Sequence, residues 1–436
     1  MSAARAIAGV VTALYLAAEG FSGLELGVLF VVVTLVSAAL STGIGLVSDR
    51  VGRKPFMVVV PLLAAASAAV YSEVRVPAVL FVCAAAGSFG RGAGAGGGSV
   101  GPYQPAESAF VAERVTVGSR SAAFGRLAFA SSAGALAGGL LAGLSRASPH
   151  ISAEAATAAY RPAFLAAAAL AALAGLLAIA LREPRHQPRH RTGASQPDPA
   201  AAGAGGPRRR PTRLRWPRRS WPALWRFWVA NGVNGLAIGM IGPFMSYWLS
   251  RRYDVGPAPI GLLFALINLG SLASTLAAAG VGRRMGTVRT IAVVRAIGGV
   301  LLVPMVLAPS FWLAGAIYFV RMLAQRVGLP LRQSFVQDLA HPDERASMAA
   351  LSNVPAQATM AGSQALAGYL FDEVSLAAPF ELAAVFQCLN AVLYAVLFAW
   401  MPPRPVAAQG DALTSPTPGA PSPGEGVSLD AEPDDA

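Results

Sequence analysis

The chain has 436 residues, of which 55% are hydrophobic and only 13% charged, and its formal net charge is +12. Soluble domains carry roughly a quarter charged residues, so an ordinary water-soluble globule is excluded. The arginine surplus sits between apolar runs, where membrane topology accounts for it, and no nucleic-acid partner is expected.

Windows of about 19 residues mark apolar segments in the first half near 4–18, 24–47, 56–72, 77–104, 122–144 and 162–181. The second half repeats the plan near 224–249, 258–281, 290–308, 311–333, 347–370 and 379–401. A helix crossing the hydrocarbon core needs about 20 residues, so the expectation is an all-α membrane protein of twelve transmembrane helices in two six-helix bundles. The first segment, Ala4–Ala18, would span only about 22 Å. Helix 1 is therefore expected to be truncated, with the natural chain starting upstream of Met1. The apolar N-terminus runs into Glu19 and Glu25 without a convincing cleavage site, so no signal peptide is expected.

The break after the sixth segment, Arg182–Pro222, holds eleven arginines against Glu183 and Asp198, with many Pro, Gly and Ala. It is too polar to cross and too poor in large apolar residues to fold alone, so it is expected to be a disordered basic linker. Two readings of it stay open: a bare topology signal, or a strip lying on anionic lipid. Expected domains are residues 1–181, the linker 182–222, residues 223–402, and a disordered tail 403–436. Cations cluster in alternate loops (Arg50, Arg53 and Lys54; Arg114 and Arg120; the linker; Arg283, Arg284 and Arg289; Arg345). By the positive-inside rule those loops and both termini are cytoplasmic, in an inner membrane. Arg251 and Arg252 are exceptions, partly offset by Asp254.

Cys83 and Cys388 lack metal or redox spacing, and His150, His186, His190 and His341 are scattered. No metal or cofactor is expected. Neither a nucleophile–base constellation nor a phosphate loop is present, so no enzyme activity is expected.

Between the second and third segments stands Gly45-Leu46-Val47-Ser48-Asp49-Arg50-Val51-Gly52-Arg53-Lys54-Pro55, expected to be a hydrophilic loop. An internal repeat accompanies it. Leu14-Tyr15-Leu16 with Gly27-Val28-Leu29-Phe30 parallels Tyr247-Trp248-Leu249 with Gly261-Leu262-Leu263-Phe264, and Phe110–Glu113 with Arg120 parallels Phe335–Asp338 with Arg345. The pattern G-x-x-x-D-R-x-G-R-K between two spans resembles the helix 2–3 loop signature of the major facilitator superfamily. Its second copy is degraded: Arg284 and Gly286 match Arg50 and Gly52, but Arg283 replaces Asp49.

The resemblance implies that Gly45, Asp49, Arg50, Gly52, Arg53 and Lys54 form a gate latching the halves on the cytoplasmic side. Asp49 would face the start of helix 11 near Ser347–Leu351, and Arg53 would pair with Glu113. Arg91, with the small residues after it, resembles the family's helix 4 signature, an expected coupling or substrate residue. A charge mid-membrane costs at least about 2.5 kcal/mol unless it is paired or hydrated; a structural ion pair or snorkelling is the alternative. Arg321 and Arg326 are similar cases, whereas Arg295 is expected to snorkel.

Asn231, Asn234, Asn268, Gln325, Gln357, Gln364, Gln387 and Asn390 are the neutral cavity candidates, with helix–helix hydrogen bonding as the equal alternative. Tyr247 and Trp248 are expected in an interfacial belt. Gly134–Gly143 resembles the helix 5 signature of drug antiporters, but Gly139 stands where that pattern has Pro, and close helix packing is the expected role. The function implied is alternating-access transport of a small solute by a monomer in the lipid bilayer, with a proton as possible coupling ion. The solute would be an exported drug or metabolite, or an imported anionic or neutral molecule. The alternative is a non-transporting sensor or assembly factor on the same scaffold.

Overall fold

Where water is absent, each backbone polar group needs a partner inside its own segment, so apolar runs of crossing length become helices. The computed structural model describes residues 1–88, 119–145, 151–181, 219–339 and 351–398, with isolated positions between them. The first half comprises α1 (Ser2–Ala18), α2 (Gly23–Val51), α3 (Lys54–Tyr71), α4 (Pro77–Gly87), α5 (Arg120–Leu141) and α6 (Ala153–Ala180). The second comprises α7 (Trp221–Ile241, resuming at Met245–Tyr253), α8 (Pro257–Met285), α9 (Thr287–Val300, resuming at Leu302–Leu307), α10 (Phe311–Leu339), α11 (Val354–Glu373) and α12 (Ala378–Leu397). No strand occurs among the described residues.

The interruption in α7 falls on Gly242 and Pro243, and that in α9 falls just ahead of Pro304. Proline cannot donate to the carbonyl four residues back, which weakens a helix at that turn. Pro61, Pro162 and Pro330 nonetheless lie inside α3, α6 and α10. The sixth span starts at Ala153, ahead of the expected 162, because Glu154 in its first turn favours a polar N-terminal extension.

The charged signature is not a loop. Helix α2 runs on through Val51 and α3 begins at Lys54, leaving Gly52 and Arg53 as the only break. Gly52 sits at φ 99°, ψ 165°, a region essentially confined to glycine. Gly286 sits at φ 79°, ψ 152° between α8 and α9, and both glycine N–H groups donate to the carbonyl four residues back. The second copy has lost the acid and kept the glycine, because the turn needs the backbone and not the carboxylate.

Six segments are long and apolar enough to cross a membrane: Gly23–Ile44, Lys54–Tyr71, Ala123–Leu144, Glu154–Ala180, Thr287–Leu307 and Ala378–Leu397. Between 22% and 44% of each is buried inside the protein, and Leu35, Val59, Leu177 and Val385 point outward. Apolar faces of this extent suit lipid and not water. Helices α7, α10 and α11 are as long but less apolar, since they carry Asn231 and Asn234, then Arg321, Gln325 and Arg326, then Gln357 and Gln364. Of the other candidates, Asn268 lies in α8, and Gln387 and Asn390 lie in α12, which is apolar enough to count as a span.

The core is continuous across both halves near the α1–α2 and α11–α12 turns. There Tyr15, Tyr71 and Phe164 join Phe30, Phe244, Trp248, Phe371 and Phe380. At the opposite end the second half has its own cluster, including Phe227, Leu331, Phe335, Tyr394 and Phe398.

Candidate functional site

The two halves meet near the end carrying the α1–α2 and α11–α12 turns, and they meet backbone to backbone. A Cβ on Gly27 of α2 would lie 2.6 Å from the Gln364 carbonyl of α11, and one on Gly368 would strike the Gly23 carbonyl. In a second seam, a Cβ on Gly139 of α5 would lie 2.7 Å from the Gly261 carbonyl of α8. This is the close packing expected of the helix 5 glycines. Across the first seam, the Asp372 carboxylate accepts from the backbone N–H groups of Gly23 and Leu24 at 2.8 Å each. Thr34 Oγ1 donates to Gln364 Oε1 at 3.1 Å, and the Phe30 and Phe244 rings meet edge to face at 5.2 Å. Toward the opposite end, positions Gly43, Gly125 and Gly280 face open space.

Tyr247 and Trp248 are not a lipid-facing belt. They are 6% and 0% exposed, with Tyr247 against Phe371 and Trp248 against Phe380. The break in α7 at Gly242 and Pro243 leads directly into this aromatic segment, which packs against α11 and α12 at the seam end.

Among the described residues, buried polar side chains are more numerous in the second half than in the first. Asn231 is fully buried: its Nδ2 donates to the Ser352 carbonyl at 2.9 Å, and its Oδ1 accepts from Arg332 Nη1 at 3.0 Å. Arg321, 2% exposed, donates through Nε to the Gly298 carbonyl of α9 at 2.9 Å and lies over the Tyr318 ring. Gln325 packs on Gly298, since a Cβ there would lie 2.8 Å from its Nε2. Asn390 donates to the Ala230 carbonyl of α7. Among the described residues, buried atoms without a hydrogen-bond partner include Asn234 Oδ1, Trp248 Nε1, Gln325 Nε2, Arg326 Nε, Gln357 Oε1, both amide atoms of Gln387, Asn390 Oδ1, and the Tyr318 and Tyr394 hydroxyls, with Thr12 Oγ1 in the first half. Buried polar groups are normally satisfied, so this concentration marks the interior as chemically unfinished.

Of the sequence candidates, Asn268 turns back on its own helix, donating to the Phe264 carbonyl at 2.8 Å, and Gln364 belongs to the seam. Asn231, Arg321, Gln325 and Arg326 are brought into one half. Arg295 does not snorkel to lipid: it is half-buried, and Arg332, Tyr394 and Arg321 act on it electrostatically. Arg91 and Glu113, the surroundings of Gly45, and the side chains of Asp49 and Arg50 lie outside the described residues. Arg332 escaped the sequence reading, although eleven residues after Arg321 is three helical turns and places both on one face of α10.

A cavity of about 500 Å³ opens beside Arg332, between α7, α10 and the start of α11. Phe227 and Pro330 supply its apolar wall and Gln333, Ser352 and Asn353 its polar one. No cluster of His, Cys, Asp and Glu suited to a metal occurs among the described residues.

The family model of the Major Facilitator Superfamily matches residues 1–230 and again 227–424. The chain belongs to the major facilitator superfamily. That membership makes it a multi-pass membrane transporter of a small molecule, not an enzyme. Compared with curated proteins, the sequence matches none. Among solved structures of the same superfamily fold, a mutant of the nucleoside transporter NupG superposes with a TM-score of 0.66 at 13% identity, covering 91% of this chain and 97% of that one. A bacterial homologue of the human lysosomal transporter Spinster gives 0.63 at 13% identity, covering 91% and 92%. The human organic anion transporter MFSD10 gives 0.51 at 20% identity, covering 85% and 83%. At such identities the likeness shows the fold alone.

Proposed function

We propose that this superfamily member is a secondary active transporter that moves a small solute across the cytoplasmic membrane by alternating access, here in its cytoplasm-open state. The observation that carries the reading is the one-sided seam: glycines join α2 to α11 and α5 to α8 at one end, while Gly43, Gly125 and Gly280 face open space toward the other. Arg53, Lys54, Arg284 and Arg289 stand at the open end, and such cations mark the cytoplasmic side. Both termini are then cytoplasmic. Residues 1–181 and 223–402 rock as two bodies about the solute, joined by the basic linker 182–222 and followed by the tail 403–436. In the opposite state the Asp49–Lys54 segment, with Gly45 and Glu113, closes the cytoplasmic end.

The acids of α1–α3 and α6–α12 lie at helix ends, whereas arginines lie within α9 and α10. A small anionic or neutral solute fits that distribution better than a cation. Export and import are both compatible with it, a proton gradient is the first coupling to test, and one chain suffices because the passage lies between its own halves.

The test uses a background with Cys83 and Cys388 replaced by alanine. Gly43→Cys should react with an impermeant maleimide in inverted membrane vesicles and stay protected in right-side-out ones. Labelling only from the outer face would refute the orientation, and proteoliposomes showing no solute counterflow would refute the transport reading.

A further inference from the structure

We propose that the cavity beside Arg332 is a binding site for a small amphiphilic organic anion, with Arg332 as the contact cation and Asn231 as the residue that positions it. The assignment of this anion as cargo rests on the transporter reading above.

Asn231 has both polar atoms committed, one to Ser352 and one to Arg332, so its rotamer is fixed and it fixes the guanidinium in turn. A guanidinium carries five N–H donors in a planar fork. One is spent on Asn231, which leaves an edge for a carboxylate, phosphate or sulfonate to accept in bidentate fashion. The adjoining wall of Phe227 and Pro330 is apolar, and a volume of about 500 Å³ lies in the range of small-molecule pockets. Pro330 also lacks the N–H that would pair with the Arg326 carbonyl, so the helix is weakened beside the cavity.

The charge around this site is one-sided. Arg332, Tyr394 and Arg321 act electrostatically on Arg295, and Tyr318 acts on both Arg321 and Arg326. No carboxylate is among these groups. Tyr394, fully buried and with an unpartnered hydroxyl, is acted on by Arg332 and Arg295. Arg295, Arg321 and Arg326 lie within their helices, so the potential beside Arg332 toward the end of α10 is positive. An incoming anion is attracted to it, and a cation would be repelled.

The experiment is a titration of purified full-length protein in nanodiscs, read by tryptophan fluorescence; Trp228 donates to the Leu351 carbonyl, next to cavity residue Ser352. The probes are benzoate, its neutral isostere benzamide, and inorganic phosphate. Benzoate should bind at least roughly tenfold tighter than benzamide, and tighter than phosphate, which has no apolar body. Arg332→Gln should abolish the preference for benzoate, Arg332→Lys should retain part of it, and Arg161→Gln at a distant exposed salt bridge should leave it unchanged.

Equal affinity for benzoate and benzamide, phosphate matching benzoate, no benzoate binding at millimolar concentration, or an unaltered preference in Arg332→Gln would each overturn the proposal. If Arg332→Gln fails to fold, Asn353→Asp decides. It adds a negative charge at an exposed position of the cavity wall, so unchanged benzoate affinity there would also overturn it. Counterflow of a neutral solute that persists in Arg332→Gln would sink the anion assignment and spare the transporter. Benzoate binding through Arg332 without any counterflow would do the reverse.

Discussion

Removing the Asp372 carboxylate should release the closed end. In the state described, Asp372 caps the N-terminus of α2 from the far side of the seam with two 2.8 Å hydrogen bonds. Hydrogen bonds involving a charged group contribute about 1.5–3 kcal/mol, and a carboxylate at a helix N-terminus about 0.3–1 kcal/mol. Asp372 is exposed, and water replaces part of this when the halves separate, so about 1–2 kcal/mol is the net bias. That corresponds to roughly a 5–30-fold change in the equilibrium between states.

The assay is the distance between spin labels at Val76→Cys and Val374→Cys, which are 55% and 62% exposed and belong to opposite halves. Asp372→Ala should enrich the longer-distance population by that factor. Asp372→Asn, which keeps one acceptor oxygen, should do so by less. An unchanged distribution in Asp372→Ala would show that the glycine seam alone holds the end shut and would refute the latch.

Gly27→Leu should act in the same direction, because even a Cβ there lies 2.6 Å from the Gln364 carbonyl; overpacking of about 1–3 kcal/mol should enlarge the longer-distance population. Gly52→Ala should lower thermal stability by about 1–3 kcal/mol through strain at φ 99°. Gly43→Ala, in open helix, should be neutral or stabilising by up to about 1 kcal/mol; equal effects at the two positions would contradict the turn geometry. Glu344 binds the backbone N–H groups of Arg219 and Ser220 ahead of α7. Desolvation pulls its carboxyl upward, but the Ser220 hydroxyl and those two N–H groups outweigh it and hold it below the usual range. A depressed carboxyl stabilises the fold above its unfolded value, near 4.3, and that contribution vanishes as pH falls through the folded value. Fluorescence of the Trp221–Trp228 pair, with rings 5.6 Å apart, should change below about pH 4, and Glu344→Gln should remove that pH dependence.

The twelve-helix plan and the two-fold repeat were legible because both rest on local periodicity and composition. The match of Gly286 to Gly52 was legible for the same reason, and the structure gives it a backbone meaning. Other features required contacts between positions far apart. Asp372 reads as an outer-loop charge until it is found on residues 23 and 24, and nothing near Tyr247 and Trp248 in the sequence distinguishes a buried aromatic cluster from an interfacial belt. Asn231 was legible as a polar residue on a helix face, but its engagement with Arg332 was not, because that arginine falls where the tenth apolar run ends. The signature reads as a loop in the sequence, but charge alone does not end a helix; here a single glycine ends it.

The glycine seam also bears on leakage. Where Gly27 lies on Gln364 and Gly139 on Gly261, the closed end is sealed by main chain whose amides are already bonded within their own helices. At these two glycine contacts the barrier has no side chain to swing aside, and the nearby Thr34 hydroxyl is committed to Gln364. At the glycine contacts themselves an ion would find no polar side chain to follow.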